Sequence, residues 1–318
     1  MEFIKLDGYK VERNDIVKVT SMGNVTELLY MKRKNNECPI KMIDKDHYIV
    51  ISDESGEVRE CKHIENRSED ESNIRRTMRT LRNLINANIT DEENCRFVTL
   101  TYSENMTDEK RLKSDLMNFN VRLRSVVGNY EYIAVREPQG RGAWHFHVIL
   151  IFPKKAPFLS SKLIDSCWKK GFVTTTRLDN VDNVGAYLTA YLCDVELNEA
   201  QEYGLIKDKD QIVTKDVLVN VDAGDETSGD LNDARARAVI EKKQFVKGAR
   251  LCLYPPNMNL YTCSKGIKKP IAEYMTEKNA QKKISSAKLT FSSAIQLIDS
   301  NSSFENIIYK RYYNSKRK

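Results

Sequence analysis

Residues 132–152 read YIAVREPQGRGAWHFHVILIF. Two apolar runs, Ile133–Val135 and Val148–Phe152, flank a polar, glycine-bearing break at Pro138–Gly142. Apolar runs of strand length around such a break mark a hairpin or a short-loop pair of strands. Side chains two apart in a strand point to the same face. His145 and His147 therefore share one face, while Phe146 and Val148 take the other. Two imidazoles side by side can hold one metal ion. Glu137 closes the first strand, so pairing of the strands brings its carboxylate towards the histidines as a hard oxygen ligand. An isolated HxH is more often a pair of satisfied polar groups on a solvated face, because short ligand patterns arise by chance. Two of the four histidines fall here, and about 40 residues on stand Tyr187 and Tyr191.

The neighbouring segments supply the rest of a sheet. Arg96–Tyr102 reads as a strand. Residues 107–127 read as a helix with Leu112, Leu116, Phe119, Leu123 and Val126 on its apolar stripe. Ser160–Trp168 reads as a short helix that buries Leu163, Ile164 and Cys167 and ends at Gly171. Phe172–Leu178 is rich in β-branched residues and reads as a strand. Strand, helix, strand, strand, helix, strand is the split βαβ, ferredoxin-like order. It predicts an α+β fold, one antiparallel sheet with its helices on one face. Residues 182–193 (DNVGAYLTAYLC) then read as a helix that stacks Tyr187 and Tyr191 four apart on one side. Tyrosines at that spacing are more often packing residues than nucleophiles. A catalytic tyrosine needs help from a metal, a lysine or a water chain, because its free pKa is about 10.

Residues 1–65 read as short strands and turns, with a hairpin of Tyr48–Ile51 and Val58–Cys61. Ser68 and Glu71 have capping-box spacing. The helix they open runs to about Ala87, with Ile74, Met78, Leu81 and Ile85 as its apolar stripe. Arg75, Arg76, Arg79 and Arg82 occupy the remainder, a face suited equally to DNA phosphates and to solvent. Residues 207–230 read as a surface excursion, and a helix is predicted from about Asn232 to Lys243. Tyr261–Pro270 is basic and turn-like, with Lys265, Lys268 and Lys269. Residues 287–298 suit a strand or a helix, and the basic tail at 309–318 suits solvent or phosphate. The chain thus divides into an N-terminal leader with a basic helix (1–92), a sheet-forming domain (93–204), a polar insertion (205–240) and a basic C-terminal region (241–318).

With 318 residues and 41% hydrophobic content, a proper core is available. The formal net charge of +6 permits nucleic-acid binding without requiring it. No run approaches 18 uncharged apolar residues, and the N-terminus shows no signal-peptide core, so the expected location is the cytoplasm. The seven cysteines are scattered and never in CxxC spacing, which speaks against a zinc knuckle or a disulfide framework.

Together these motifs resemble those of rolling-circle replication initiators (Rep) of bacterial plasmids and phages, within the histidine-hydrophobic-histidine (HUH) endonuclease superfamily. FVTLTY at 97–102 resembles the family's first motif. Glu137 with WHFHV at 144–148 resembles its metal motif, and NVGAYLTAY at 183–191 its tyrosine motif. The basic stretches at 68–89 and 265–270 resemble segments that flank these motifs in the family. The resemblance implies that Glu137, His145 and His147 hold Mg²⁺ or Mn²⁺ and that Tyr187 and Tyr191 are the nucleophiles. It implies a metal-dependent nicking and joining enzyme that cuts one strand of origin DNA, single-stranded or in a hairpin. The enzyme would stay on the 5′ end and free a 3′ hydroxyl for the polymerase of a bacterial host. The positions that often carry lysine three residues after a tyrosine are Ala190 and Asp194 here, which leaves the order of the two tyrosines open. No GxxxxGK[ST] occurs, so a host helicase is expected to unwind the DNA. Plasmid relaxases and transposases of the same superfamily are the rival enzymes, and a non-catalytic DNA-binding replication regulator is the rival of another class.

Overall fold

The computed structural model describes residues 2–33, 40–44, 47–51, 58–62, 71–139, 142–176, 185, 193–206, 212–220, 238–254, 258–284, 286–298 and 305–316. Helix α1 (Glu71–Asn88) precedes β1 (Cys95–Leu100), α2 (Glu109–Val127), β2 (Glu131–Pro138), β3 (Trp144–Ile151), α3 (Ser161–Trp168) and β4 (Val173–Thr176). A later strand, β5 (Tyr261–Cys263), joins the edge at β2. The sheet order is β4-β1-β3-β2-β5, with every neighbour antiparallel. The first four strands have the order expected of a split βαβ unit, in which each helix carries the chain past an intervening strand.

Local chemistry sets the helix ends. The Asp108 carboxylate accepts from the Lys110 and Arg111 N–H groups and opens α2, while the Ser160 hydroxyl accepts from Leu163 N–H and opens α3. The α2 stripe of Leu112, Leu116, Phe119 and Leu123 is buried. It continues to Val127, four residues on, and leaves Val126 exposed, contrary to the sequence reading. Lys169, not Gly171, takes the left-handed position after α3. Gly171 is needed for a different reason. A Cβ there would lie 2.4 Å from Ser103 N and 2.7 Å from Thr101 O, both backbone atoms that cannot swing away.

Helices α2 and α3 pack on the Phe146 face of the sheet, where the Trp168 ring meets Phe119 and Phe146 edge-on. The opposite face is not solvated. Ile133, Val135 and Ile149 lie on the histidine side and are also buried, and the α1 residues Ile74, Met78, Leu81 and Ile85 belong to the same core. A sheet covered on both faces replaces the expected one-sided arrangement. Each fully buried Leu or Ile contributes about 2 kcal/mol.

The two ends of the chain meet in a second sheet. Its order is 2–5, 288–298, 305–314, 25–31, 16–22, 271–276, antiparallel at every step. The leader and the basic C-terminal region, separate in the sequence reading, therefore pair through long-range ladders. The basic tail is a strand rather than a solvated arm, and its Arg311 is buried. Arg311 donates to Glu277 at 2.5 and 2.7 Å, and Gln281 donates to the same carboxylate. Burial opposes the Glu277 charge, but hydrogen bonds from Arg311 and Gln281 outweigh it and lower the carboxyl pKa. A depressed folded-state pKa contributes stability that is present above the usual carboxylate range and lost as pH falls through the folded value. Glu277→Gln leaves Arg311 buried without its counter-charge and is expected to cost about 3 kcal/mol or more. Urea denaturation at neutral pH checks this, and an unchanged midpoint would show that the pair contributes nothing.

Helix α1 lies between this sheet and the central core. Its Arg79 pairs with the fully buried Glu27, which also accepts from the Tyr312 hydroxyl at 2.8 Å. Arg82 stacks over the Tyr312 ring. The arginine face thus has intramolecular partners at Arg79 and Arg82, while Arg76 is exposed.

A third, three-stranded sheet joins 195–196 with the hairpin Ile212–Asn220 and Ala238–Val246. The predicted helix at 232–243 is corrected here. Val239, Ile240, Phe245 and Val246 favour a strand, and Asp216 faces Lys242 across the ladder. Strands 47–51 and 58–62 form the expected N-terminal hairpin. Ser68 and the tyrosines Tyr187 and Tyr191 lie outside the described residues. Among the described residues no helix is long and apolar enough to cross a membrane.

Candidate metal centre

The register of β2 and β3 builds the site. Glu137 faces His145 and Val135 faces His147, so the carboxylate and both imidazoles emerge on the same face of adjacent strands. The hairpin that fixes this register is closed by Gln139 N–H to Ala143 O and Gly142 N–H to Gln139 O. Gly142 sits at φ 82°, the left-handed region that such a turn requires.

The three ligand atoms converge. His145 Nε2 lies 3.0 Å from His147 Nε2 and 3.2 Å from Glu137 Oε2, and His147 Nε2 is in direct contact with the same oxygen. Glu137 and His145 are buried, whereas the His147 side chain is 20% exposed and opens the cluster towards the surface. Two imidazole nitrogens aimed at each other and at one carboxylate oxygen form a hydrogen bond only where a proton intervenes. One divalent cation satisfies all three lone pairs at once. Donors at about 2.1 Å from an octahedral ion sit about 3 Å apart, so these spacings fit. Two nitrogens and one oxygen suit Mn²⁺, and Mg²⁺ with added water.

Neighbours hold the ligands in their binding forms. The Thr99 hydroxyl meets His147 Nδ1 at 3.1 Å and leaves Nε2 for the cluster. Phe97, also on β1, stacks on the His147 ring with centroids 5.4 Å apart. Burial holds the His147 pKa below its ordinary value, against the pull of Glu137, and favours the neutral ring that a metal needs. Burial also opposes the Glu137 charge, but Arg250, His145 and His147 overcome it and hold the carboxyl well below the usual range. Arg250 donates to the other carboxylate oxygen, Oε1, at 2.8 Å.

Of the residues singled out from the sequence, Glu137, His145 and His147 are brought together. Arg76 borders a cleft whose other lining residues include Asn259, Leu260 and Tyr261, at the start of β5. Arg75 lies on the same helix. Lys265, Lys268 and Lys269 are exposed on the turn after β5, which is docked on α1 by paired bonds between the Asn88 side chain and the Lys268 backbone, both 2.8 Å. Of the stretch 182–193, Gly185 and Cys193 are described, and both are helical. Gly185 N–H donates to Asn86 Oδ1 at 3.0 Å, and a Cβ at Gly185 would meet Arg82 O at 2.4 Å, so glycine permits the approach to α1. Arg250, Thr99 and Phe97 were not read as site residues. Thr99 and Phe97 alternate with buried positions in β1, a pattern that places them on one face without saying which. Arg250 had no local signal at all.

No curated protein and no solved structure matches the chain. Residues 95–196 match a family model for replication-associated proteins of the ORF2 type, and the matched segment contains β1 to β4 and all three converging ligands. Over this segment, the chain carries the conserved region of that replication-associated protein family, consistent with a Rep-type replication initiator.

Proposed function

We propose that the chain is an origin-specific DNA nicking and joining enzyme of the HUH type that initiates rolling-circle replication. The observation that carries this reading is the convergence of Glu137, His145 and His147 on one sheet face inside the replication-associated segment. The three residues would hold Mg²⁺ or Mn²⁺. When bound, the ion polarises a phosphoryl oxygen and offsets charge in the transition state. Tyr187 or Tyr191 attacks the phosphorus, the bond to the 3′ oxygen breaks, and the phenol proton ends on that oxygen. The products are a 5′-phosphotyrosyl ester and a free 3′ hydroxyl. A later 3′ hydroxyl attacks the ester and reseals the strand without loss of bond energy to water. The other tyrosine serves a second cleavage. Host polymerase and helicase would extend and unwind the nicked template.

The DNA path is proposed along Arg76 and the exposed turn of Lys265, Lys268 and Lys269. Arg75 is included on its place in α1, while Arg79 and Arg82 border the path and hold α1 on the second sheet. Changing the three lysines together to alanine is expected to weaken single-strand binding. It should also flatten the salt dependence by roughly 0.7 in log–log slope for each phosphate no longer neutralised. Affinity measured between low and moderate salt checks this, and an unchanged slope would move the path elsewhere.

The reading is tested on supercoiled DNA of the chain's own replicon, with Mn²⁺ or with chelator. Metal-dependent conversion to the nicked form supports it. Binding without conversion at any Mn²⁺ level would favour a DNA-binding regulator.

A further inference from the structure

Arg250 is buried and lies on the short turn Ala249–Leu253, far in sequence from the histidines. Its guanidinium meets three separate parts of the chain. Nη1 donates to Glu137 Oε1 and to Pro138 O, both at 2.8 Å. Nε and Nη2 both donate to Asp194 O at 3.3 Å, and Nη2 lies 3.7 Å from Glu199 Oε2. Gly248 N–H, just before this turn, donates to Asp194 Oδ1 at 2.8 Å. Asp194 is three residues beyond Tyr191, at a position where related motifs often have lysine.

The five N–H bonds of a guanidinium form a rigid fork. Here they are distributed among Glu137, Pro138, Asp194 and Glu199, which leaves none for a substrate phosphate. Arg250 therefore does not replace the missing lysine as a phosphate ligand. Resting on the metal reading above, we infer that Arg250 is a positioning residue. It turns the Glu137 carboxylate so that Oε2 serves the histidine pair, and it ties that arrangement to Asp194, where the tyrosine-bearing stretch ends.

Charge and positioning have opposite signs. By charge alone, removal of a cation beside Glu137 would tighten the binding of a divalent ion. Loss of an orienting partner weakens it, by about 10- to 100-fold for groups that hold metal ligands. The test is Mn²⁺ affinity by titration calorimetry, without DNA, for the full chain and for Arg250→Gln and Arg250→Lys. Near-UV circular dichroism establishes folding. The Gln variant is expected to bind Mn²⁺ at least tenfold more weakly. The Lys variant keeps the charge, but a single ammonium cannot span Glu137 and Asp194, so it is expected to fall between the Gln variant and the wild type. If the Gln variant does not fold, the Lys variant decides by the same criterion. Affinity that is unchanged or tighter in the folded variants overturns the inference alone. A wild-type chain that takes up no Mn²⁺ overturns the metal reading, and the inference with it.

Discussion

His147→Ala is expected to reduce nicking by about a thousandfold or more while duplex DNA binding stays within a few-fold. His147 is the most open of the three converging residues, with one ring nitrogen held by Thr99 and the other aimed at Glu137 and His145. Its loss removes one of three ligand atoms and leaves Glu137 paired with Arg250. Several kcal/mol of charge stabilisation in the transition state go with the ion, and each 1.4 kcal/mol is about tenfold in rate. The imidazole is remote in kind from the basic groups that attract DNA phosphates, so binding should persist. Nicking and gel-shift measurements on the same preparation check both halves. Full-rate nicking by the variant would remove His147 from the metal set.

The second large effect is expected from Tyr187→Phe combined with Tyr191→Phe. Phenylalanine keeps the ring and its packing but has no oxygen to form a phosphoester, so covalent capture of DNA should vanish altogether. Single variants should differ from each other. Tyr187 is assigned the first attack, so Tyr187→Phe should lose the initial cleavage, and Tyr191→Phe should cleave once but fail in the second transfer. The comparison uses end-labelled strands resolved on a denaturing gel. A double variant that still captures DNA at the wild-type level would place the nucleophile elsewhere.

Much of the central domain is legible in the chain itself. The spacing of Leu112, Leu116, Phe119 and Leu123 marks α2, and alternation around His145 and His147 marks β3. The glycine-bearing break before them fixes the hairpin that sets Glu137 opposite His145. These signals are local, and local periodicity reports which side of an element is buried. Arg250 is another matter. Its partner Glu137 lies more than a hundred residues away, and nothing near Arg250 in sequence distinguishes it from a surface arginine. The second sheet escapes for the same reason, since ladders between residues 16–31 and 271–314 leave no mark in either segment alone. Residues 238–246 mix apolar and charged side chains in a pattern that suits helix and strand alike, and pairing with 212–220 decides it. Arg79 reads as a DNA-facing cation until Glu27, fully buried on a distant strand, is seen to take it.

The most direct measurement is mass spectrometry of the covalent product. The full chain is incubated with single-stranded origin DNA and Mn²⁺, digested with nuclease and protease, and searched for a nucleotide-modified peptide. The expected result is a 5′-phosphotyrosyl nucleotide on the peptide that contains Tyr187 and Tyr191, absent when chelator replaces Mn²⁺. Cleaved DNA with no nucleotide on either tyrosine, or an adduct formed equally in chelator, would contradict metal-assisted tyrosine transfer.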